Sequence, residues 1–338
     1  MKVLVAGLGS IGRRHLANVR RVLPDAEIVA LSSRGQHVEG LDAASRVVTS
    51  LEAAIGCGLD AAIVATPAPL HVPMSAQLLR AGVDVLVEKP LSHTLDGVAE
   101  LAELVRQTGR VLMVGYTLRF HPLVRRLKEE VSAGTIGRVL SARFEIGQHL
   151  PDWRPQIDFR ESVTARPELG GGALLELSHE IDYAQWLLGP IAGVQAHLSQ
   201  QADWGLDVED CVDLIVEFER GPVGTIHLDL LQRVAQRSCK LIGTDGTLEW
   251  DLQSQSLRRY LAATRSWEVL ANSAGMDRNQ MYLDELSHFL NGIAARHDAL
   301  DTLAGAMDTL RVIDAVRQSS EAGRCCIVAH DSRGRVAA

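Results

Sequence analysis

The chain has 338 residues, 46% hydrophobic and 22% charged, with five cysteines and a formal net charge of −8. That length suggests two domains of about 150 residues each, both long enough to bury a core. The acidic balance argues against nucleic acid or an anionic membrane as the main partner, since both demand a basic face.

Lys2 to Ala6 is an uninterrupted apolar run, as a strand covered on both faces should be. Gly7-Leu-Gly-Ser-Ile-Gly12 follows, and Ile11 to Leu23 reads as a helix stopped by Pro24. Strand, G-x-G-x-x-G turn and helix together point to a dinucleotide site. The glycines permit a tight turn, close approach of backbone to pyrophosphate and close helix–strand packing, and the helix N-terminus offers free N–H donors. Gly7, Gly9, Ser10, Ile11 and Gly12 are expected to contact the cofactor. Lys2 and the apolar run resemble a signal peptide only superficially, because the run meets Gly-x-Gly and continues into Arg13 and Arg14.

A second strand, Glu27 to Leu31, runs into Ser32-Ser33-Arg34. An NAD site usually has an acidic residue here for the ribose 2′-hydroxyl. Hydroxyls and a guanidinium instead suit a 2′-phosphate. Ser33 and Arg34 are therefore expected cofactor contacts, and NADP is favoured. NAD stays open, because Arg34 could equally stack on adenine or be solvated.

Asp60 to Ala65 is another buried strand, closed by Thr66-Pro67 where backbone passes along the dinucleotide. His71 opens a helix to Arg80 and reads as a helix-start or cofactor-edge residue. Strand Val83 to Val87 leads into Glu88-Lys89-Pro90, which puts a lysine at the carboxyl end of a strand, where open α/β sheets place their chemistry. Alcohol oxidation needs a positioned acid–base residue. A lysine between an apolar strand and a proline is partly desolvated, which favours its basic form. The plainer reading is a surface Lys–Glu pair. A helix over about Leu95 to Thr108, with Gly109 as its C-cap, and strand Val111 to Val114 complete the alternation expected of a doubly wound parallel sheet.

After about residue 120 the pattern changes. Leu140, Ala142, Phe144 and Ile146 alternate with Ser141, Arg143 and Glu145, and Val212 to Phe218 and Val223 to Leu230 repeat that period around Gly221-Pro222. Lys240 to Ile242 and Thr247 to Trp250 flank Gly243-Thr-Asp-Gly246, a hairpin signal. One helix, Ala173 to Leu188, interrupts these strands, and two more, about Met281 to Ala295 and Leu300 to Glu321, close the chain. The expected architecture is α/β: a Rossmann domain over 1–120, then an α+β domain over 121–338 with an open, mainly antiparallel sheet. Helices cover one face of that sheet and a second subunit would cover the other, giving a homodimer or homotetramer. Cys57, Cys211, Cys239, Cys325 and Cys326 fit no zinc-ligand spacing, so no metal is expected. They read as the reduced thiols of a cytoplasmic protein.

The motifs together resemble the glucose–fructose oxidoreductase / inositol dehydrogenase (Gfo/Idh/MocA) family. The likeness is carried by Gly7 to Gly12 with His15, Ala65-Thr-Pro67 with His71, Glu88-Lys-Pro90, Gly115-Tyr-Thr-Leu-Arg-Phe-His-Pro122, and Gly170-Gly-Gly-Ala-Leu-Leu-Glu-Leu-Ser-His-Glu-Ile-Asp182. The resemblance implies a pyridine-nucleotide enzyme acting on sugars, polyols or their derivatives. Lys89 would be its catalytic or substrate-orienting lysine and His179 the acid–base partner. The family usually has an Asp four residues before that histidine. Here Glu176 stands three before, still on one face of a continuous helix, as the expected catalytic partner of His179, and Asp182, which matches the pattern, is expected with His179 at the substrate.

Thr66, Pro67, His71, Glu88, Lys89 and Arg119 join the expected cofactor contacts. Tyr116, Arg119 and His121 at the domain junction are candidates for substrate or cofactor. Trp153, Arg154, Asp158 and Arg160 form a loop whose aromatic and forked cations suit a sugar with an anionic group, although a solvated loop fits equally. The reaction expected is hydride transfer between NADP or NAD and a hydroxyl or ketone of a sugar derivative. Two rivals stay open: transient, recycled oxidation that enables elimination or glycosidic cleavage, and a non-catalytic dinucleotide sensor.

Overall fold

A computed structural model describes residues 1–32, 41–298 and 300–330. The chain forms two compact units, Met1–Phe120 with Asp277–Met307, and His121–Met276 with Asp308–Ala338.

In the first unit, β1 (Lys2–Ala6), α1 (Ser10–Val22), β2 (Glu27–Leu31), β3 (Arg46–Val48) and α2 (Leu51–Ile55) are followed by β4 (Ala61–Val64), α3 (His71–Arg80), β5 (Asp84–Glu88), α4 (Val98–Thr108) and β6 (Leu112–Gly115). The described strands make a six-stranded, all-parallel sheet in the order β3-β2-β1-β4-β5-β6. Every residue of β4 and β5 is buried, as a sheet with helices on both faces requires. The chain order reverses between β1 and β4, which makes their carboxyl ends the crevice where such sheets take ligands.

The second unit holds α5 (Pro122–Ser132), β7 (Val139–Gly147), α6 (Leu150–Trp153), α7 (Ala173–Glu176), α8 (His179–Leu188), β8 (Ile191–Ser199), β9 (Cys211–Phe218) and β10 (Val223–Asp229). Then come β11 (Gln236–Gly243), β12 (Gly246–Asp251), β13 (Ser256–Leu261), β14 (Ser266–Asn272), α9 (Asn279–Ala295), α10 (Thr302–Ala322) and β15 (Cys326–Ile327). Of these, α9 packs in the first unit and the division between units falls within α10. The sheet order is β14-β13-β12-β11-β7-β10-β9-β8-β15. Its pairs are antiparallel except β7 with β10, which run parallel. In β9, Val212, Leu214, Val216 and Phe218 are buried while Asp213, Ile215 and Glu217 face out, the alternation of a sheet covered on one face. Tyr183 of α8 meets Phe144 and Trp250 edge-on at 5.2 and 5.9 Å, which fixes that helix to the covered face. Gly243 and Gly246 flank a two-residue turn between β11 and β12.

Two expectations need correcting. The contiguous division at residue 120 misses α9, whose Leu286 and Phe289 complete the apolar core under β1, β2 and β4. The helix expected over 173–188 is two helices, interrupted at Leu177 and Ser178.

Candidate active site

The glycine turn is built against the end of β4. A Cβ on Gly7, which has φ +88°, would lie 2.5 Å from the Ala65 carbonyl oxygen, and one on Gly12 would lie 1.7 Å from that of Gly7. Neither position admits a side chain. A Cβ on Gly9 would meet nothing within 4 Å. Gly9 caps α1 without a side-chain hydrogen bond, and the first turn holds no acidic residue. The exposed Gly9–Ser10 segment therefore offers free N–H groups and open space, which fits a dinucleotide pyrophosphate. Ser33 and Arg34 lie outside the described residues.

His71 is buried, with Nε2 2.7 Å from the Thr66 carbonyl oxygen and Nδ1 2.8 Å from that of Pro90. Burial lowers its pKa by more than the two carbonyls restore, so a neutral ring donates to one of them at a time. His71 is thus the helix start expected, at the head of α3, and a strut between the Thr66 and Pro90 turns.

From Val83 to Ser92 every residue is buried except Lys89. Its neighbour Glu88 was expected at the cofactor, but it points inward. Glu88 Oε1 lies 2.6 Å from Nε2 of His15 on α1, and Oε2 accepts from the Lys89 backbone N–H at 3.2 Å. Burial raises the Glu88 carboxyl, but the hydrogen bond and charge of His15 and the charge of Lys89 outweigh it and hold the group below the ordinary carboxylate range. The helix that forms the phosphate cradle is thereby tied to the residue before the lysine.

Glu285 of α9 completes this cluster. It is fully buried, neither carboxyl oxygen has a hydrogen-bond partner, and its oxygens approach His15 and Glu88 within 4.8 Å. Burial, then the charge of Glu88, drives its carboxyl well above the ordinary range, which favours the protonated form. Sequence reasoning passed over Glu285. The available signal was a carboxylate three residues after Tyr282 and four before Phe289, inside an apolar helix stripe.

Tyr116 has no exposed surface, and Arg119 is 3% exposed with its guanidinium donating to the Leu300 carbonyl at 3.1 Å. His121 Nδ1 accepts from Leu123 N–H as the N-cap of α5. All three, expected at substrate or cofactor, are buried, and Arg119 and His121 hold main-chain groups.

In the second unit, the stretch 170–184 is buried except at Glu176 and His179. Gly172, with φ +98°, leads into it, and a Cβ there would lie 2.3 Å from Glu209 Oε1, which accepts from Leu174 N–H. The break in the helix separates the two polar residues: Glu176 ends α7, accepting from Thr164 Oγ at 3.2 Å, and His179 begins α8. The shared helix face expected for them is therefore absent. Asp182, expected at substrate, is 1% exposed. Glu180, which the sequence did not single out, is buried in a two-pronged pair with Arg237 of β11 at 2.7 and 3.2 Å.

Trp153 and Arg154 line a small pocket with Thr164, the residue that holds Glu176. Its volume is about 10 Å³, room for one water. Asp158 and Arg160 are exposed, with the Arg160 guanidinium 4.7 Å above the Phe159 ring.

Residues 1–116 match the oxidoreductase family with an NAD-binding Rossmann fold, and residues 124–249 match the GFO/IDH/MocA C-terminal domain. Among characterised relatives, 1,5-anhydro-D-fructose reductase of Ensifer adhaerens is 28% identical over 306 residues, covering 87% of this chain and 86% of the relative. The scyllo-inositol 2-dehydrogenase (NAD(+)) of Bacillus subtilis is 27% identical, covering 86% and 85%. Levoglucosan dehydrogenase, solved in complex with NADH and levoglucosan, superposes with a TM-score of 0.87 at 22% identity over 97% of this chain and 99% of that one. Among the described residues no helix is long and apolar enough to cross a membrane. With its glycine cradle, its strand-end lysine and both domains matched, the chain belongs to the Gfo/Idh/MocA family of NAD-binding oxidoreductases.

Proposed function

We propose that the protein is a dehydrogenase or reductase of sugars, polyols or their derivatives, moving hydride between NADP or NAD and a secondary hydroxyl or ketone. The observation that carries this reading is Lys89: one accessible side chain in an otherwise buried run at the carboxyl end of β5. The relatives, a reductase of anhydrofructose and a dehydrogenase of inositol, support the substrate class. When bound, the nicotinamide supplies or accepts the hydride. The Lys89 ammonium would hold the reacting oxygen and stabilise its developing negative charge. The anchoring of Glu88 to His15 keeps the lysine backbone in register with the cradle. His179, accessible at the first turn of α8, would exchange the proton with solvent. Ser33 and Arg34 support a preference for NADP through the 2′-phosphate.

The outward face of β9 and β10 carries Ile215 and Val223, 49% and 54% exposed, which supports pairing with a second copy through this sheet. Sedimentation would read that as a homodimer or homotetramer.

The reaction is tested by incubating the enzyme with oxidised NADP or NAD and a panel of polyols and sugar derivatives. One reduced cofactor per ketone formed supports the proposal. Product formed by elimination or glycosidic cleavage without net cofactor reduction would replace it with the recycling mechanism.

A further inference from the structure

Cys211 and Asp213 stand two residues apart on β9, His227 and Asp229 two apart on β10, and the antiparallel register sets Asp213 opposite His227 and Cys211 opposite Asp229. With a side-chain period of two, all four project from one face of the strand pair. Ligand atoms of Cys211, Asp213 and His227 lie within 4.8 Å of one another. Asp229 takes a different part. It is 2% exposed, accepts from the backbone N–H groups of Leu231 and Gln232 at 2.7 and 2.9 Å, and holds His227 Nε2 at 3.0 Å. Nδ1 is left directed at Asp213, 2.7 Å away.

We propose that Cys211, Asp213 and His227 form a binding site for a divalent transition-metal ion of the zinc type, with Asp229 as the buried carboxylate that orients the imidazole. Sulfur, imidazole nitrogen and carboxylate oxygen are the donor set zinc takes, and three protein ligands leave a fourth position for water. An imidazole whose remote N–H is held by a carboxylate is the arrangement that fixes ring orientation at metal centres. The ion takes the place of the proton between Nδ1 and Asp213, which passes to solvent. The Cys211 thiol enters as thiolate, its proton passing to solvent. Asp213 has 61% of its side chain exposed in the single chain, so its carboxylate has room to turn from the imidazole to the ion, which would then lie within the face that pairs with a second copy. No spacing along one strand could reveal the site, because its ligands come from two.

The buried trio His15, Glu88 and Glu285 meets the same distance criterion, yet all three are sealed from solvent. An ion would have no entry path there.

The test is titration of the whole, chelator-stripped protein with cobalt(II) at neutral pH. The expected result is one cobalt per chain, with a near-ultraviolet sulfur-to-cobalt charge-transfer band that Cys211→Ser abolishes and zinc displaces. Asp229→Asn should weaken binding by about 10–100-fold, and His227→Gln should weaken it too. A wild-type protein with no such band overturns the proposal. So does a band that survives Cys211→Ser, which would put cobalt on other cysteines, or an Asp229→Asn protein with unchanged affinity.

Discussion

Two stretches of this chain do the same thing by different means. Between Val83 and Ser92 only Lys89 reaches the surface, and between 170 and 184 only Glu176 and His179 do. The first stretch is the end of a buried parallel strand, braced from behind by Glu88 on His15 and from the side by His71 between the Thr66 and Pro90 carbonyls. The second is a helix broken in two, with its acidic residue drawn to Thr164. A strand end fixes a side chain through the sheet's own ladder. A helix break leaves direction to local hydrogen bonds.

His179→Ala tests the second stretch hardest. With a positioned acid–base group worth about 10²–10⁴-fold, kcat should fall by that much while dinucleotide affinity stays near wild type, and added imidazole should restore part of the rate. A fall in dinucleotide affinity alone would move His179 out of the chemistry.

Glu285→Gln probes the brace behind the first stretch. Glu285 has a folded-state pKa above its unfolded one, so at this group the folded protein binds more protons and the stability that Glu285 contributes declines as pH rises past about 4.5. That decline is about 1.4 kcal/mol per pH unit until the folded-state pKa is reached. Glutamine has no such slope, and subtraction cancels the titrating groups that do not face Glu285, while Glu88, held below the ordinary carboxylate range, stays ionised across the window used. The stability of Glu285→Gln minus wild type, from urea unfolding between pH 5 and 8, should therefore grow with pH. A flat difference would mean that Glu285 is ionised in the folded state.

Thr164→Val should have the smallest effect. It removes the donor to Glu176 at the cost of one hydrogen bond, about 0.5–1.5 kcal/mol, and leaves kcat within a few-fold. A loss of kcat as large as that of His179→Ala would make the Thr164 tie a part of the acid–base machinery and erase the contrast between the stretches.

The legibility of the sequence follows the same division. The parallel sheet could be read because its strands are continuous apolar runs, and the glycine turn because Gly7 and Gly12 have room for no side chain. The β11–β12 hairpin was visible in Gly243-Thr-Asp-Gly246. The break at Leu177–Ser178 was not, since neither glycine nor proline occurs between 173 and 188. The sequence showed a helix near Met281 to Ala295 but not which core Leu286 and Phe289 would fill. The inward turn of Glu88 and the pairing of Glu180 with Arg237 are decided by partners far along the chain. Local pattern carries no trace of such partners.

The most direct test of the account is Lys89→Met, with turnover and NADPH and NADH binding measured on one preparation. The account predicts turnover lost by at least about 10²–10⁴-fold and dinucleotide binding within a few-fold of wild type. Turnover retained with the ammonium gone would contradict it.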